Sequence, residues 1–363
     1  MGFFNFLKKD NKEFDDNSKI TNSTSTINVE QQISILNSDP FDHIHDKYTR
    51  PQVTALFLRS MSYKPHKIGK CNDDYPRYLQ YEYNILDVPT FHKNLVNKGY
   101  FTIASFKNVI SNYKVTDLKE ILVSKNLIVK GLKKDALIEL AITSIDTTEQ
   151  ENISKQSELY ELSNKGLDYL EEYKDFFEII EFKKYDISYA LFMKYKKQLP
   201  DNLHSRDIAW RILNDRLNYY IIHNMYGSLR NHYLNTAQFL DEETHYTDVL
   251  YYYILCLYCD INFANIQESM LNKHLKSEII IEWLDDKTVA PGIVKKIKDY
   301  AKYHNDSIFQ KIFSRNVLPY KFINDIDFKK MIHEIYETDY FDDSQYVMNA
   351  ISSAKKTIRS RSI

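Results

Sequence analysis

Glycine and proline are scarce in this chain, and that scarcity limits the folds it can adopt. The 363 residues include 7 glycines and 8 prolines, together about 4% of the chain, against roughly 12% in average usage. Tight turns depend on these two residue types, which argues against sandwiches, barrels and glycine-rich nucleotide-binding folds. The composition therefore predicts a mainly α protein, and the length predicts two or three domains.

The charges and the cysteines narrow the class of protein. The chain has 48 basic and 50 acidic residues, for a net charge of −2, so any nucleic-acid surface has to be local. The three cysteines, Cys71, Cys256 and Cys259, are too few for a disulfide framework. Residues 1–9 lack the apolar stretch of a signal peptide, and the longest apolar run, Val249–Leu257, is too short to span a bilayer. We expect a cytoplasmic protein with no membrane contact.

Shifts in composition divide the chain into six segments. Residues 15–28 are polar and aperiodic, which is typical of a flexible tether, whereas Pro51 and Lys98-Gly99 mark the start and end of helical signals. The predicted segments are a flexible N-terminal tether (1–39), a small helical N-terminal region (40–105), a helical hairpin (106–143), a helical connector (144–200), a C-terminal helical bundle (201–350) and a basic tail (351–363). Within the connector, residues 160–170 resemble the helix-to-wing part of winged-helix domains.

The C-terminal segment has helical periodicity throughout. Ile208, Ile212, Leu213 and Leu217 recur at helical spacing, and further helical signals cover residues 229–240, 247–258 and 269–284. Short polar breaks between them predict antiparallel helices, and the pattern resembles a tetratricopeptide-like array without a strict period. We expect this bundle to contact a protein partner or to self-associate. The tail carries four basic residues without an acidic one and is expected to be solvated: Lys355, Lys356, Arg359 and Arg361.

Residues 106–142 predict two short helices that pack on each other. Ser111 or Thr116 is the expected cap of the first helix, and Lys133 is expected to open the second. Neither helix is long enough to be stable alone, so each must bury an apolar stripe. The predicted inward residues are Val115, Leu118, Ile121 and Leu122 on the first helix, and Ala136, Leu137, Leu140 and Ala141 on the second.

This hairpin resembles the SAP motif, a helix-extended-loop-helix module that binds DNA. The residues that carry the resemblance are Val115, Leu118-Lys119, Leu122, Leu127, Gly131, Lys133-Lys134 and Leu137-Ile138. Asn126 stands where the family commonly has glycine, Leu132 is a one-residue insertion, and the arginine near the end of the family's second helix is missing. The wider layout resembles SAP-domain proteins of Gram-positive bacteria and their phages, a group that offers no catalytic residues to carry over.

The resemblance implies contact with DNA, and the local charge is consistent with it. Residues 107–141 hold seven lysines against four acidic residues, a local charge of +3. Lysines near helix starts, together with free backbone amides, bind phosphates without reading base sequence. Duplex DNA bound without sequence preference is therefore the expected partner. The expected DNA-contacting residues are Lys114, Lys119, Lys125, Lys130, Lys133 and Lys134.

Other clusters favour structural roles over chemistry. Cys256 and Cys259 lie in an apolar helical run without a second ligand pair, so core packing is expected in place of zinc. The stretch Asp42-His43-Ile44-His45-Asp46 favours a surface turn, with a weak metal site left open. Three consecutive tyrosines, 251–253, point in different directions on a helix and cannot form one stacking platform. No catalytic, metal or cofactor motif is found.

Three functional hypotheses follow. The favoured one is a non-enzymatic DNA-binding protein whose hairpin holds backbone phosphates and whose C-terminal helices contact a protein. The second is a helical scaffold or protein-interaction module without DNA binding. The third is an enzyme with a site built from scattered acidic residues and histidines such as His223, His232 and His245, for which no signature is present.

Overall fold

Helices dominate the chain, as its composition predicts. Residue 41 and residues 46–271, 276–285 and 287–361 are described by the structure, which is a computed structural model. The chain divides into two units, Met1–His43 and Ile44–Ile363, and every element below belongs to the second. The predicted tether (1–39) and the residues Asp42, His43 and His45 lie outside the described residues.

The N-terminal part of the second unit begins with helices that follow the predicted signals. Thr49 caps α1, whose first turn contains Pro51, and Gly99 follows α3 with a φ of 78°, a conformation that glycine adopts without strain. The three helices are α1 (Arg50–Ser60), α2 (Tyr78–Tyr81) and α3 (Val88–Asn97). Their core includes Phe57, Leu58, Leu79, Val88 and Leu95.

A two-stranded ribbon interrupts the helices. β1 (Phe101–Ile103) and β2 (Tyr160–Leu162) are antiparallel, with Phe101 opposite Leu162. Just beyond β1, the Ala104 N–H donates to the Leu159 carbonyl at 2.8 Å. The chain therefore leaves the ribbon and returns to it at the same place, and residues 104–159 form an excursion that we call the hairpin unit.

Four helices make up the hairpin unit, two more than the predicted hairpin. They are α4 (Phe106–Ser111), α5 (Val115–Ser124), α6 (Lys134–Ser144) and α7 (Thr147–Ser157). They enclose a small core of their own, formed by Phe106, Ile110, Leu118, Leu122, Leu137, Ile138, Ala141 and Ile145. The first part of the predicted connector, α7, thus packs in the same unit as the hairpin.

The rest of the connector links the ribbon to the C-terminal helices. It comprises α8 (Asn164–Glu172), α9 (Lys174–Glu181), a 3-10 turn (Phe182–Tyr185) and α10 (Tyr189–Lys196). Tyr169 and Leu170 of α8 pack against the N-terminal core. Phe182 and Tyr185 of the 3-10 turn contact the ring of Phe239 in the C-terminal helices.

Helices of 6 to 18 residues form the C-terminal region, and the first three are long and joined by short turns. Three of the turns contain a residue in the left-handed conformation, Asn224, Thr244 or Phe263, and each ends one helix before the next begins. The helices are α11 (Ser205–Ile222), α12 (Tyr226–Glu242), α13 (Tyr246–Ile261), α14 (Ala264–Leu271), α15 (Ser277–Glu282), α16 (Pro291–Asp299), α17 (Ser307–Ser314), α18 (Asp325–Glu337) and α19 (Ser344–Arg361).

Two details of this region differ from the sequence expectations. The single helical signal over residues 269–284 corresponds to two separate helices, α14 and α15. The tail expected to be solvated continues α19 as far as Arg361, and its Ala354 and Ile358 are buried in the C-terminal core. Ala354 and Ile358 are four positions apart and therefore lie on one face of the helix, which packs against the core. The lysines of the tail can keep their charged ends in solvent, so they do not prevent this packing.

Within the described residues, no single helix is long and apolar enough to cross a membrane. The pair α13 and α14, bent by 52° where they meet, meets the length and composition requirement only when the two helices are taken together.

Candidate nucleic-acid interface

The first hairpin helix begins where an acidic side chain fixes its N-terminus. Lys114 is the cap residue of α5, and its N–H donates to Asp117 Oδ2 at 3.3 Å. The predicted caps are wrong, because the Ser111 hydroxyl donates to the Lys107 carbonyl at the end of α4. The Thr116 hydroxyl lies inside the first turn and donates to Asp117.

The buried stripes agree with the prediction in part. Leu118 and Leu122 of α5 and Leu137 of α6 are fully buried. Val115 is 38% exposed because it lies at the very start of its helix, beside solvent. On α6 the predicted Leu137 and Ala141 are buried and Leu140 packs against the same core. Ile138 is buried as well, whereas the predicted Ala136 is exposed.

An extended segment connects α5 to α6. Asn126 has a φ of 59° and Gly131 a φ of 80°. Asparagine tolerates the left-handed region better than other residues that carry a Cβ, so it can end α5 where glycine would otherwise serve. Leu127 and Val129 pack against the hairpin core, while Ile128 between them is 85% exposed, the alternation of an extended chain.

Two of the six predicted DNA-contacting lysines have partners inside the protein. Lys125 Nζ forms an ion pair with Glu149 Oε2 on α7 at 2.6 Å. Lys134 Nζ donates to the Ser111 carbonyl at 2.7 Å. Lys125 therefore links the hairpin to α7, and Lys134 links it to α4. Both ammonium groups already have a partner within the protein.

The other four predicted lysines form no ion pair with any residue that the structure describes: Lys114, Lys119, Lys130 and Lys133. Lys114 and Lys133 are the cap residues of α5 and α6. The hydrogen bond from Lys134 to Ser111 brings the start of α6 close to the turn before α5. The N-termini of both helices therefore lie at the same end of the hairpin, each beside an exposed lysine.

This end of the hairpin unit carries local positive charge. The first backbone N–H groups of a helix have no partners within the helix, and the helix dipole adds partial positive charge there. Asp117 and Asp135 in the first turns offset part of that charge. Lys119 is half-buried along α5, and Lys130 is exposed in the extended segment before α6.

Sequence reasoning missed the contribution of α7. Besides Glu149, Gln150 donates from its side-chain amide to the carbonyls of Ile142 and Ile145 at 2.9 and 2.7 Å and so closes the C-terminus of α6. A signal for this helix is present, since Asp146 caps it through the Glu149 N–H. An aspartate followed three residues later by glutamate is a helix-start pattern.

The clusters set aside in the sequence have structural roles where the structure describes them. Cys256 and Cys259 are buried in the core, as predicted, and burial raises the pKa of both thiols. Tyr253 is buried, whereas Tyr251 and Tyr252 are partly buried. Burial and the nearby Arg216 lower the pKa of His232 to about 3. Among the described residues no group of histidine, cysteine, aspartate and glutamate is arranged to hold a metal ion.

Comparisons with protein-family models, with curated proteins and with solved structures found no match to this chain.

Proposed function

We propose that this protein binds duplex DNA without enzymatic activity, through the hairpin unit. The observation that carries the proposal is the placement of Lys114 and Lys133 at two helix N-termini on the same end of the hairpin, with no ion pair among the described residues. Free amides and unneutralised lysines suit backbone phosphates. Such contacts carry no base information, so the expected binding does not depend on DNA sequence.

The SAP-like pattern adds a second support. Gly131 and Asn126 both have positive φ, so the asparagine that departs from the family's glycine is compatible with the turn that the motif needs. Leu118, Leu122 and Leu137, which belong to the motif's apolar positions, are fully buried. The DNA-contacting set narrows to Lys114, Lys119, Lys130 and Lys133, because Lys125 and Lys134 serve the hairpin itself.

Fluorescence anisotropy of a labelled duplex, titrated with the full chain at several salt concentrations, tests the proposal. Replacing Lys114 and Lys133 by glutamine should weaken binding and flatten the slope of log affinity against log salt by about one for each phosphate that the variant no longer neutralises. The matched control replaces Lys64 and Lys93, two exposed lysines outside the hairpin unit. Equal reductions in affinity in the two variants, or no duplex binding at about 50 mM salt, would overturn the proposal.

The second candidate function is a protein-interaction module, with the C-terminal helices as a tetratricopeptide-like array. Large apolar side chains are exposed there, including Trp283 at 45%, Met348 at 57% and Ile326 at 79%. Sedimentation of the wild-type chain and of Trp283→Gln measures self-association through this region. If the wild type assembles, the variant does not, and duplex binding is absent, the interaction module is the better description.

A further inference from the structure

An open cavity along one face of α10 is lined by lysines from two distant parts of the chain. We call it the lysine pocket. Its volume is about 480 Å³, within the range of about 300–1,000 Å³ typical of small-molecule sites. Its lining includes Lys47, Tyr189, Ala190, Met193, Lys194 and Lys197.

The α10 side of the pocket is a single helix face. Ala190, Met193, Lys194 and Lys197 follow the spacing i, i+3, i+4 and i+7, which places their side chains on one stripe. Leu191 and Phe192 point the other way and are buried. The small side chain of Ala190 and the flexible thioether of Met193 give the pocket an apolar floor between its charged ends.

Lys47 is held at the pocket by the residues on either side of it. Asp46 Oδ1 accepts from the Ala190 N–H at 2.9 Å, and Asp46 Oδ2 accepts from the Tyr48 hydroxyl at 2.9 Å. Tyr189 is fixed too, since its hydroxyl accepts from Gln52 Nε2 at 2.8 Å and its ring packs edge-on against Phe176. Two of these contacts, Asp46 to Ala190 and Gln52 to Tyr189, join segments more than 130 residues apart and hold residues 46–52 against α10.

The three lysines of the pocket have no acidic partner among the residues that the structure describes. No ion pair joins Lys47, Lys194 or Lys197 to an acid in the described part of the chain, and the described lining contains no acidic residue. Lys183, on the 3-10 turn before α10, does form an ion pair, with Glu82 at 2.6 Å. Lysines are favoured at helix C-termini, which accounts for Lys194 and Lys197 but not for the approach of Lys47 from another segment.

We propose that the lysine pocket binds a nucleotide, with its phosphates at the three ammonium groups and its base over Ala190, Met193 and the Tyr189 ring. Lysine binds phosphate as a mobile point charge with three donors, so three lysines around one cavity suit a di- or triphosphate. The apolar floor suits a flat, weakly polar group attached to that anion. The proposal does not depend on DNA binding by the hairpin unit.

Isothermal titration of the full chain, in EDTA to remove divalent cations, tests it with three probes: ATP, inorganic tripolyphosphate and adenosine. ATP should bind more tightly than tripolyphosphate, which lacks the base, and adenosine should not bind measurably. If tripolyphosphate binds as tightly as ATP, the base makes no favourable contact with the apolar floor of the pocket, and the nucleotide assignment is wrong. Absence of ATP binding at 10 mM, about the weakest affinity that titration can detect, would overturn the pocket altogether.

Two single substitutions locate the site. Lys47→Gln should weaken ATP binding roughly tenfold, a loss of about 1.4 kcal/mol, whereas Lys196→Gln should not. Lys196 is the matched control, because it lies between Lys194 and Lys197 in sequence and is exposed, yet does not line the pocket. Equal effects of the two substitutions would overturn the proposal, since they would indicate attraction by general positive charge. Lys194→Gln repeats the test should Lys47→Gln lower the thermal stability of the chain.

The duplex titration separates this proposal from the previous one. The Lys114 and Lys133 double variant should retain wild-type affinity for ATP, and Lys47→Gln should retain wild-type affinity for duplex DNA. If Lys47→Gln instead lowers duplex affinity and leaves ATP binding unchanged, the pocket is part of a nucleic-acid surface and the small-ligand assignment is wrong.

Discussion

Gly166 offers a sharp test of how the ribbon that carries the hairpin unit is held. It lies in the first turn of α8, and a Cβ added there would come closer than 3.0 Å to the Tyr100 carbonyl oxygen and to 3.3 Å from Leu162 Cδ2. That carbonyl is not free to move, because it accepts from the Ser163 N–H at 3.0 Å, while the Ser163 hydroxyl donates to the Gly99 carbonyl at 2.6 Å. Gly166→Ala must therefore separate α8 from the turn before β1.

The expected cost follows from three contributions. Overpacking at this fixed position costs about 1–3 kcal/mol, and weakening the hydrogen bond to Tyr100 costs about 1 kcal/mol. Alanine regains at most about 1 kcal/mol through its higher helix propensity. The net effect is a loss of about 1–3 kcal/mol of unfolding free energy, or roughly 5- to 150-fold faster hydrogen exchange if the core opens as a unit.

Hydrogen exchange of peptides covering residues 98–103 and 160–172 measures this loss where it occurs. Tryptophan fluorescence is the wrong probe, because Trp210 lies in α11 and Trp283 follows α15, both in the C-terminal region. Gly292→Ala is the matched control: Gly292 is also in a first helical turn, but no atom lies within 4 Å of an added Cβ, so alanine should stabilise by about 0.4–1 kcal/mol. Unchanged or slower exchange in Gly166→Ala would refute the close packing of α8 on Tyr100.

Three further predictions concern pH, thiol chemistry and the hairpin core. Burial lowers the pKa of His92 to about 4, so the folded state favours the neutral ring. The free energy of unfolding, measured in urea, should therefore be highest above the unfolded pKa of about 6.5 and decrease as the pH drops towards 4. The same decrease should be smaller in His92→Gln. In the native protein, iodoacetamide should modify the exposed Cys71 and leave the buried Cys256 and Cys259 unmodified. All three cysteines should react in denaturant. Modification of all three without denaturant would contradict the burial of Cys256 and Cys259. Leu122→Ala should lower the stability of the hairpin core by about 2–5 kcal/mol and abolish duplex binding. The circular dichroism of the C-terminal helices should not change. Retained duplex binding would place the DNA site elsewhere.

Local sequence signals predicted the helices that have strong starts and stops. Pro51 and Thr49 begin α1, and Gly99 ends α3 in the conformation that its lack of a side chain allows. The ribbon could not be predicted in this way. Each strand has three residues, and its pairing partner lies about 60 residues away, so no local periodicity reports it. For the same reason, the sequence could not predict that the chain returns to the ribbon after the hairpin unit.

The hairpin shows where reasoning from a motif stops. The sequence predicted six lysines as equivalent phosphate ligands, because spacing alone cannot separate Lys133 from Lys134. The structure separates them, since the Lys134 ammonium group is used by the Ser111 carbonyl. Lys125 likewise forms an ion pair with Glu149, which lies on a helix beyond the residues that resemble the motif. Whether a lysine is available for a ligand is therefore decided by tertiary neighbours.

The lysine pocket extends this reasoning to a site that no motif could indicate. Lys194, Lys196 and Lys197 form one basic run in the sequence, and Lys47 lies about 150 residues earlier beside an acid, Asp46. Sequence proximity would group Lys196 with its neighbours and leave Lys47 out. The structure reverses both assignments, because Lys196 is absent from the described lining of the cavity. Asp46 accepts from the Ala190 N–H, a contact that holds Lys47 at the cavity. The different effects expected for Lys47→Gln and Lys196→Gln are thus a consequence of the fold and not of composition.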